Sequence, residues 1–193
     1  MTIFKAYDIR GLVTKELDAQ DALHIGRAVA RFFEAGPLCV GRDARDSSPD
    51  LRDALVRGIT ESGRDVVDIG LVSTPMLYHA VVETGAAGGV MVTASHNPAA
   101  YNGFKICGAN AVPIGEASGL REIERLAGEA ASAEGATQAP GEVSVRDVAQ
   151  SYAAQALSIA RPQKRHRIVF DAGNGMAAAG LEPVLERGDR VPA

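Results

Sequence analysis

The stretch GGVMVTASHNP, residues 88–98, carries the clearest structural signal in the chain. The apolar run over 88–92 is short and is followed by turn-forming residues, which predicts a buried strand. A polar segment follows at once and ends in Asn97-Pro98, a pair that favours a turn. The sequence therefore predicts a strand that delivers Ser95 to the loop at its carboxyl end.

Strand and helix patterns alternate on both sides of this stretch. Apolar residues at helical spacing predict a helix over 18–35, which Gly36-Pro37 ends. Further helices are predicted over 48–62, 74–83 and 116–127, and further strands over 38–40, 66–69 and 103–107. This order predicts an α/β fold, a mixed sheet covered by helices on both faces.

The composition changes towards the carboxyl end of the chain. Residues 128–141 are mostly small and polar, as in a linker. A helix over 143–160, a strand over 167–170 and a helix over 176–187 then predict a second α/β unit, which is incomplete. We predict a first domain at 1–138 and a truncated second domain at 139–193. Because one strand–helix unit cannot cover its apolar surface, we expect packing onto the first domain or self-association with another copy.

Charge and cysteine content exclude several classes of partner. The net charge is -4 with acids and bases interspersed, which argues against nucleic acid but allows a small phosphorylated ligand. Cys39 and Cys107 are isolated in apolar runs, which predicts buried free thiols rather than a zinc site. Because no stretch resembles a signal peptide or a membrane span, we expect a cytoplasmic protein without a membrane partner.

Ser95 is the first candidate for chemistry. A serine at a strand end can project its oxygen into a cleft, where backbone N–H groups and the Asn97 amide could hold a phosphate. Such a phosphate is close to a dianion, so it needs Lys105 or a divalent metal nearby. His96 could act as a general acid or base. Plainer alternatives stay open, namely a Ser/Thr-rich turn and a structural histidine. The adjacent Ser and His are not a catalytic triad, because neighbours in a strand point oppositely.

The segment FKAYDIRG, residues 4–11, is the second candidate. Arg10 beside a glycine suits a turn that aims a guanidinium at a phosphate. Tyr7 could hydrogen-bond the same phosphate or a sugar hydroxyl. Spacing alone favours a different interpretation, an edge strand with a surface ion pair between Asp8 and Arg10.

Two further loops have the composition of scaffolding. Residues 41–46 contain Arg42, Asp43, Arg45 and Asp46, which predict an ion-pair network that fixes the loop shape. Ser47 and Ser48 follow, and we expect them to cap the next helix. The segment DAGNG, residues 171–175, is typical of a tight turn before a helix.

Together and in this order, the segments resemble the α-D-phosphohexomutase superfamily. The matching motifs are FKAYDIRG at 4–11, GRD at 41–43 with Arg45, TP at 74–75, TASHNP at 93–98, YNGFK at 101–105 and DAGNG at 171–175. The opening motif is most similar to the bacterial phosphomannomutase/phosphoglucomutase branch, since the phosphoglucosamine mutase branch usually opens with a Gly-Thr-Asp-Gly-type sequence.

The resemblance implies an enzyme that interconverts hexose 1-phosphate and hexose 6-phosphate. Ser95 would be the phosphoserine, and its phosphate would be one ligand of a Mg2+ cofactor. The resemblance also implies that Lys105 and Arg10 stabilise charge on the moving phosphoryl group. His96, Asn97 and Tyr7 would line the same cleft and meet the phosphorylated hexose.

The chain also departs from the family pattern. Family members are longer and carry an Asp-Gly-Asp-x-Asp-Arg-type metal loop, a Glu-x-Ser-Gly-His-type sugar loop and a further phosphate loop, and none of these is matched. We therefore expect negligible turnover from the isolated chain. A non-catalytic truncated relic or a phosphate-accepting module is the alternative. A serine phosphatase ranks last, because it needs a multi-metal cluster of Asp and His.

Overall fold

One mixed sheet organises the fold. The computed structural model describes residues 3–131, 139–159, 167–173 and 175–188. Within these residues the strands are β1 (Ile9–Leu12), β2 (Leu38–Arg42), β3 (Val66–Leu71), β4 (Gly88–Val92), β5 (Tyr101–Gly108) and β6 (Val143–Val145). Their order is β1-β5-β4-β2-β3-β6. The pairs β4–β2, β2–β3 and β3–β6 are parallel, whereas β5 runs antiparallel to both β4 and β1.

Helices cover both faces of the sheet, which confirms the predicted fold class. The helices are α1 (Ala19–Phe32), α2 (Ser48–Glu61), α3 (Thr74–Thr84), α4 (Leu120–Ala130), α5 (Ala149–Ile159) and α6 (Ala177–Gly188). One core cluster packs α1, α2 and α4 against the sheet, and a second packs α3 against its other face. The predicted run over 88–92 is a central strand, and all five of its residues are buried.

The bounds of α1 and α4 follow from local chemistry. Asp18 accepts hydrogen bonds from the N–H groups of Gln20 and Asp21, and the Asp21 carboxylate accepts from the Asp18 N–H. This reciprocal capping box satisfies N–H groups that the helix itself leaves unpaired. The predicted helix over 116–127 is interrupted, because Gly119 has a φ of 141°. It forms a 3-10 turn at Glu116–Ser118 followed by α4.

The two strands that contain cysteine, β2 and β5, lie on either side of β4. Cys39 and Cys107 are each opposite Gly89 in the sheet, and both are buried free thiols as predicted. Burial raises the pKa of the Cys107 thiol to about 11 and also raises the pKa of Cys39. Both residues therefore behave as small apolar core residues near neutral pH.

Two predictions for the carboxyl-terminal part are wrong. Val143–Val145 form β6 instead of helix, and the helix begins at Ala149. The reason is long-range pairing, since the N–H of Val66 donates to Glu142 O and the N–H of Arg146 to Asp68 O. Residues 167–170 have no strand pairing and are exposed. The boundary predicted at residue 138 stays a prediction.

Helix α5 packs against α3. The His79 ring on α3 hydrogen-bonds the Ser151 hydroxyl (2.9 Å) and the Gln155 side chain, and it stacks edge-on against Tyr152. Tyr152 also packs against the core under α3. Within the described residues, no helix is both long and apolar enough to cross a lipid bilayer.

Two glycines allow α1 and α2 to approach closely. A Cβ added to Gly26 would lie 2.2 Å from the carbonyl oxygen of Leu55, and one added to Gly58 would lie 2.2 Å from that of Leu23. Both acceptors belong to backbone, which cannot move aside without separating the helices. The helix pair therefore depends on the absence of side chains at these positions.

We expect Gly26→Ala to lower the free energy of unfolding by about 2 kcal/mol, because the added methyl overpacks the α1–α2 contact. Gly128→Ala is the matched control, since Gly128 lies in α4 with nothing within 4 Å of an added Cβ. That control should raise stability by about 0.5–1 kcal/mol through helix propensity. Urea unfolding measures both, and equal effects would contradict the packing argument.

Candidate active site

Three polar segments meet at the carboxyl edge of the parallel strands. The loop after β2, the start of α3 and the loop after β4 line one open cleft with the turn before α6. The lining residues are Asp43, Ala44, Arg45, Asp46, Ser73, Thr74, Pro75, Met91, Thr93, Ser95, His96, Asn97, Ala99, Gly173, Gly175 and Met176. In α/β sheets this edge is where ligands gather. The predicted placement of Ser95 at a strand end is thus confirmed.

Ser95 lies in a tight turn with an unusual backbone conformation. Its φ is 57°, which is uncommon for a residue other than glycine. Its N–H donates to Thr93 Oγ1 at 2.9 Å, and its exposed side-chain Oγ is 3.3 Å from His96 Nδ1. The expectation that Ser95 and His96 point apart is wrong, because they lie in a turn. In the described part of the chain, no carboxylate is hydrogen-bonded to His96.

Asp43 anchors this turn from the neighbouring loop. Its buried carboxylate accepts from the hydroxyls of Thr93 (2.7 Å) and Ser48 (2.6 Å). It also accepts from the backbone N–H and the Nε of Arg45, at 3.1 and 3.2 Å. These donors satisfy a charge that would otherwise be costly to bury.

The Arg45 side chain holds the backbone of the loop after β4. Its guanidinium donates to the carbonyl oxygens of Ser95 (2.8 Å), Asn97 (2.7 Å), Pro98 (2.9 Å) and Tyr101 (3.0 Å). A planar fork with several fixed donors suits this task, which a lysine ammonium cannot match. The predicted ion-pair network is therefore confirmed for Asp43 and Arg45, and it reaches the Ser95 loop.

Ser47 and Ser48 do not cap α2 through their side chains. Ser47 is at the N-cap position without a side-chain cap hydrogen bond, and its Oγ instead accepts from Asn102 Nδ2 at 2.8 Å. Ser48 Oγ accepts from the same amide at 3.0 Å and donates to Asp43. The predicted capping is wrong because the buried carboxylate and the Asn102 amide compete for these hydroxyls.

Asn102 and Thr93 are site residues that the sequence analysis missed. Asn102 is fully buried on β5, and its Oδ1 accepts from the Gly103 N–H at 2.8 Å. One signal pointed to it, since it alternates with Phe104 and Ile106 on the apolar face of a strand. A polar residue at such a position is typical of a buried hydrogen-bonding role.

Two cations lie on the neighbouring strands. Arg10 on β1 donates to Asn97 Oδ1 at 2.9 Å, and both Arg10 (2.5 Å) and Lys105 (3.2 Å) contact Asp8. The predicted edge strand is confirmed, but its ion pair is not on the surface, because Asp8 is only 7% exposed. Tyr7 is 82% exposed and is not among the residues that line the cleft.

The described residues of the segment 171–175 have the hydrogen bonds of the predicted tight turn. The N–H of Gly173 donates to Asp171 Oδ1 at 3.0 Å, and the N–H of Gly175 donates to Ala172 O at 2.9 Å. Gly173 has a φ of 52°, which its missing side chain permits. Asn174 lies outside the described residues.

The described residues do not fit a complete Mg2+ site. Residues 3–131, 139–159, 167–173 and 175–188 contain no group of three or more His, Cys, Asp or Glu side chains placed to hold a metal. Of the acids that line the cleft, Asp43 is committed to its four donors. Mg2+ prefers near-octahedral oxygen ligands, which this set does not supply.

Comparison with known proteins places this geometry in a family. The family model described as phosphoglucomutase/phosphomannomutase, alpha/beta/alpha domain I, matches residues 1–134. The chain belongs to the phosphoglucomutase/phosphomannomutase family. This confirms the superfamily that the sequence motifs indicate.

Two bacterial relatives show the extent of the match. A phosphomannomutase of Escherichia coli is 40% identical over 190 residues, covering 97% of this chain and 42% of that protein. A phosphomannomutase of Klebsiella pneumoniae is 50% identical over 129 residues, covering 67% of this chain and 82% of that protein.

A solved structure agrees in fold. The crystal structure of a phosphoglucomutase/phosphomannomutase family protein from Burkholderia thailandensis superposes with a TM-score of 0.83 at 34% identity. The match covers 96% of this chain and 42% of that one. The chain thus spans about two fifths of the length of the E. coli relative and of this structure.

We expect Arg45→Lys to loosen the loop after β4, because one ammonium cannot donate to all of its carbonyl acceptors. Amide exchange should accelerate at Asn97 and Tyr101, whose N–H groups pair with Ala94 O and Pro98 O inside the loop. The free energy of unfolding should fall by about 1–3 kcal/mol. Arg57→Lys, on the exposed face of α2, is the control. Unchanged exchange at both amides would show that Arg45 does not hold the loop.

Proposed function

We propose that the chain is the phosphoserine-bearing part of a phosphohexomutase. Ser95 carries the phosphoryl group that is exchanged with a phosphorylated hexose. The observation that carries the proposal is the exposed Ser95 hydroxyl in a turn that Arg45 and Asp43 hold at the strand ends. Relatives named phosphomannomutase and phosphoglucomutase support it.

The proposed reaction is two phosphoryl transfers. In the first, a hexose hydroxyl oxygen forms a bond to phosphorus and the bond from phosphorus to Ser95 Oγ breaks. In the second, Ser95 Oγ forms a bond to the other phosphorus of the bisphosphorylated hexose, and the bond from that phosphorus to the hexose oxygen breaks. In each transfer the attacking hydroxyl loses a proton and the leaving oxygen gains one. His96 Nδ1, 3.3 Å from Ser95 Oγ, is within reach of the proton at Ser95.

Positioning and charge carry most of such a reaction. We assign charge stabilisation to Arg10 and Lys105, and orientation of the phosphate to Asn97, which accepts from Arg10. Tyr7 is exposed, and we assign it to the substrate hexose. Mg2+ would neutralise phosphate charge when bound, with the Ser95 phosphate as one ligand. We also propose a cytoplasmic location, in keeping with two free cysteines.

Incubation with a hexose bisphosphate should add the mass of one phosphate to the intact chain. The increment should be absent in Ser95→Ala and retained in Ser144→Ala, which removes the hydroxyl of an exposed residue on β6 that donates to Val66 O. The same preparation should show negligible turnover in a coupled mutase assay. An unchanged increment in Ser95→Ala would remove Ser95 as the acceptor, and normal turnover would overturn the expectation of an inactive isolated chain.

The second candidate is a phosphate-accepting module that works with further domains or a second copy. Exposed apolar side chains at Ile168 (63%), Val169 (95%) and Phe170 (51%) favour it. We propose that self-association of the chain covers these residues.

Light scattering after size exclusion should therefore give a mass above that of one 20.1 kDa chain. Val169→Asp combined with Phe170→Asp should shift the population towards the monomer, because buried carboxylates would oppose the contact. Val112→Asp is the control, since Val112 is 60% exposed on a different segment. A wild-type protein that stays monomeric at high concentration would contradict the proposal.

A further inference from the structure

Asp8 lies between the two cations of the site, and the proposed reaction gives it no role. Its Oδ2 accepts from Arg10 Nη2 at 2.5 Å and from Lys105 Nζ at 3.2 Å. The side chain is 9% exposed, whereas those of Arg10 and Lys105 are 25% and 28% exposed. A nearly buried carboxylate therefore holds two more accessible cations.

The pairing of β1 with β5 creates this arrangement. Ile9 is opposite Phe104 and Arg10 is opposite Gly103, which brings Asp8 next to Lys105. Gly103 has no side chain, and a Cβ there would lie 1.9 Å from Ile9 O. The absence of a side chain at Gly103 lets β1 approach β5 closely, and Arg10 on β1 donates to Asn97 in the Ser95 loop.

The carboxylate changes what the cations present to an anion. Arg10 and Lys105 together carry two positive charges, and Asp8 reduces their sum to one. Arg10 also has a buried Nε–H without an acceptor among the described residues. A phosphate that contacts either cation on its open side would lie roughly 6 Å from the carboxylate, at two contact lengths of about 2.8 Å. At this distance and in partly buried surroundings, the two anions repel each other with little screening by salt.

We propose that Asp8 is a positioning residue that aligns Arg10 and Lys105 and weakens their grip on phosphate. This inference rests on the proposed function. A dication without a counterion would bind the phosphoserine dianion so firmly that the ground state would be favoured along with the transition state. With Asp8 in place, the phosphoryl group on Ser95 stays transferable. Asp8 itself touches neither the phosphate nor the sugar.

Binding of inorganic phosphate to the full unphosphorylated chain tests this inference. In calorimetric titrations, Asp8→Asn should bind phosphate about tenfold more tightly than wild type. Asp8→Glu keeps the charge, so its affinity should stay within about twofold of wild type. Asp53→Asn removes a carboxylate that is 66% exposed on α2 and is the control for net charge. A purely structural role would not give this difference between the Asn and Glu variants.

Unchanged or weaker phosphate binding by Asp8→Asn would overturn the inference, provided that its unfolding midpoint shows a folded protein. If that variant does not fold, Asp8→Ser serves in its place with the same expected gain in affinity. Arg10→Gln separates the two levels of the proposal. If Arg10→Gln weakens phosphate binding while Asp8→Asn fails to strengthen it, only the inference on Asp8 is lost. If Arg10→Gln has no effect, phosphate does not bind at these two cations, and their assigned role fails with the inference, whereas the mass increment on Ser95 tests the proposed function separately.

Discussion

The ion pair between Arg45 and Asp43 is the contact on which the site depends. Ser95 has a left-handed backbone, which costs about 1–2 kcal/mol for a residue with a side chain. A hydrogen bond to a charged group contributes about 1.5–3 kcal/mol, and Arg45 donates to several carbonyl oxygens of that loop. We call these hydrogen bonds from Arg45 the clamp. Even after the entropy of ordering Arg45 is subtracted, the clamp stabilises the loop by more than the backbone strain at Ser95 costs. The loop after β2 therefore holds Ser95 in a backbone conformation that serine does not itself favour.

This clamp requires β2 and β4 to be neighbours in the sheet. Arg42 is opposite Val92, and the N–H of Asp43 donates to Val92 O at 3.0 Å beyond the last pair. The parallel pair thus ends at one level, and the two loops leave side by side. Residues that are 50 positions apart in the chain, Asp43 and Thr93, can then share one hydrogen bond. The geometry of Ser95 consequently depends on the order of the strands in the sheet.

Local patterns predicted the α/β fold, the strand before Ser95 and the charged loop, because each depends on residues close in sequence. The failures depend on distant partners. Val143–Val145 has a β-branched alternation, but only pairing with β3 decides between strand and helix. Asp8 and Arg10 look like a surface pair until Lys105, 97 residues away from Asp8, joins them. The hydroxyls of Ser47 and Ser48 resemble caps until Asn102 contacts them.

The contacts that fix the Ser95 backbone differ in kind from those that hold Arg10 and Lys105. The Ser95 backbone is fixed by Arg45, Asp43 and Thr93, which have little freedom once their hydrogen bonds form. Arg10 and Lys105 are long side chains held chiefly by ionic contacts with Asp8. Under the proposed function, this division suits a side chain that alternates between a neutral hydroxyl and a phosphate dianion. In-line transfer needs a nucleophile with fixed geometry, whereas a charge that comes and goes needs partners that can exchange one anion for another.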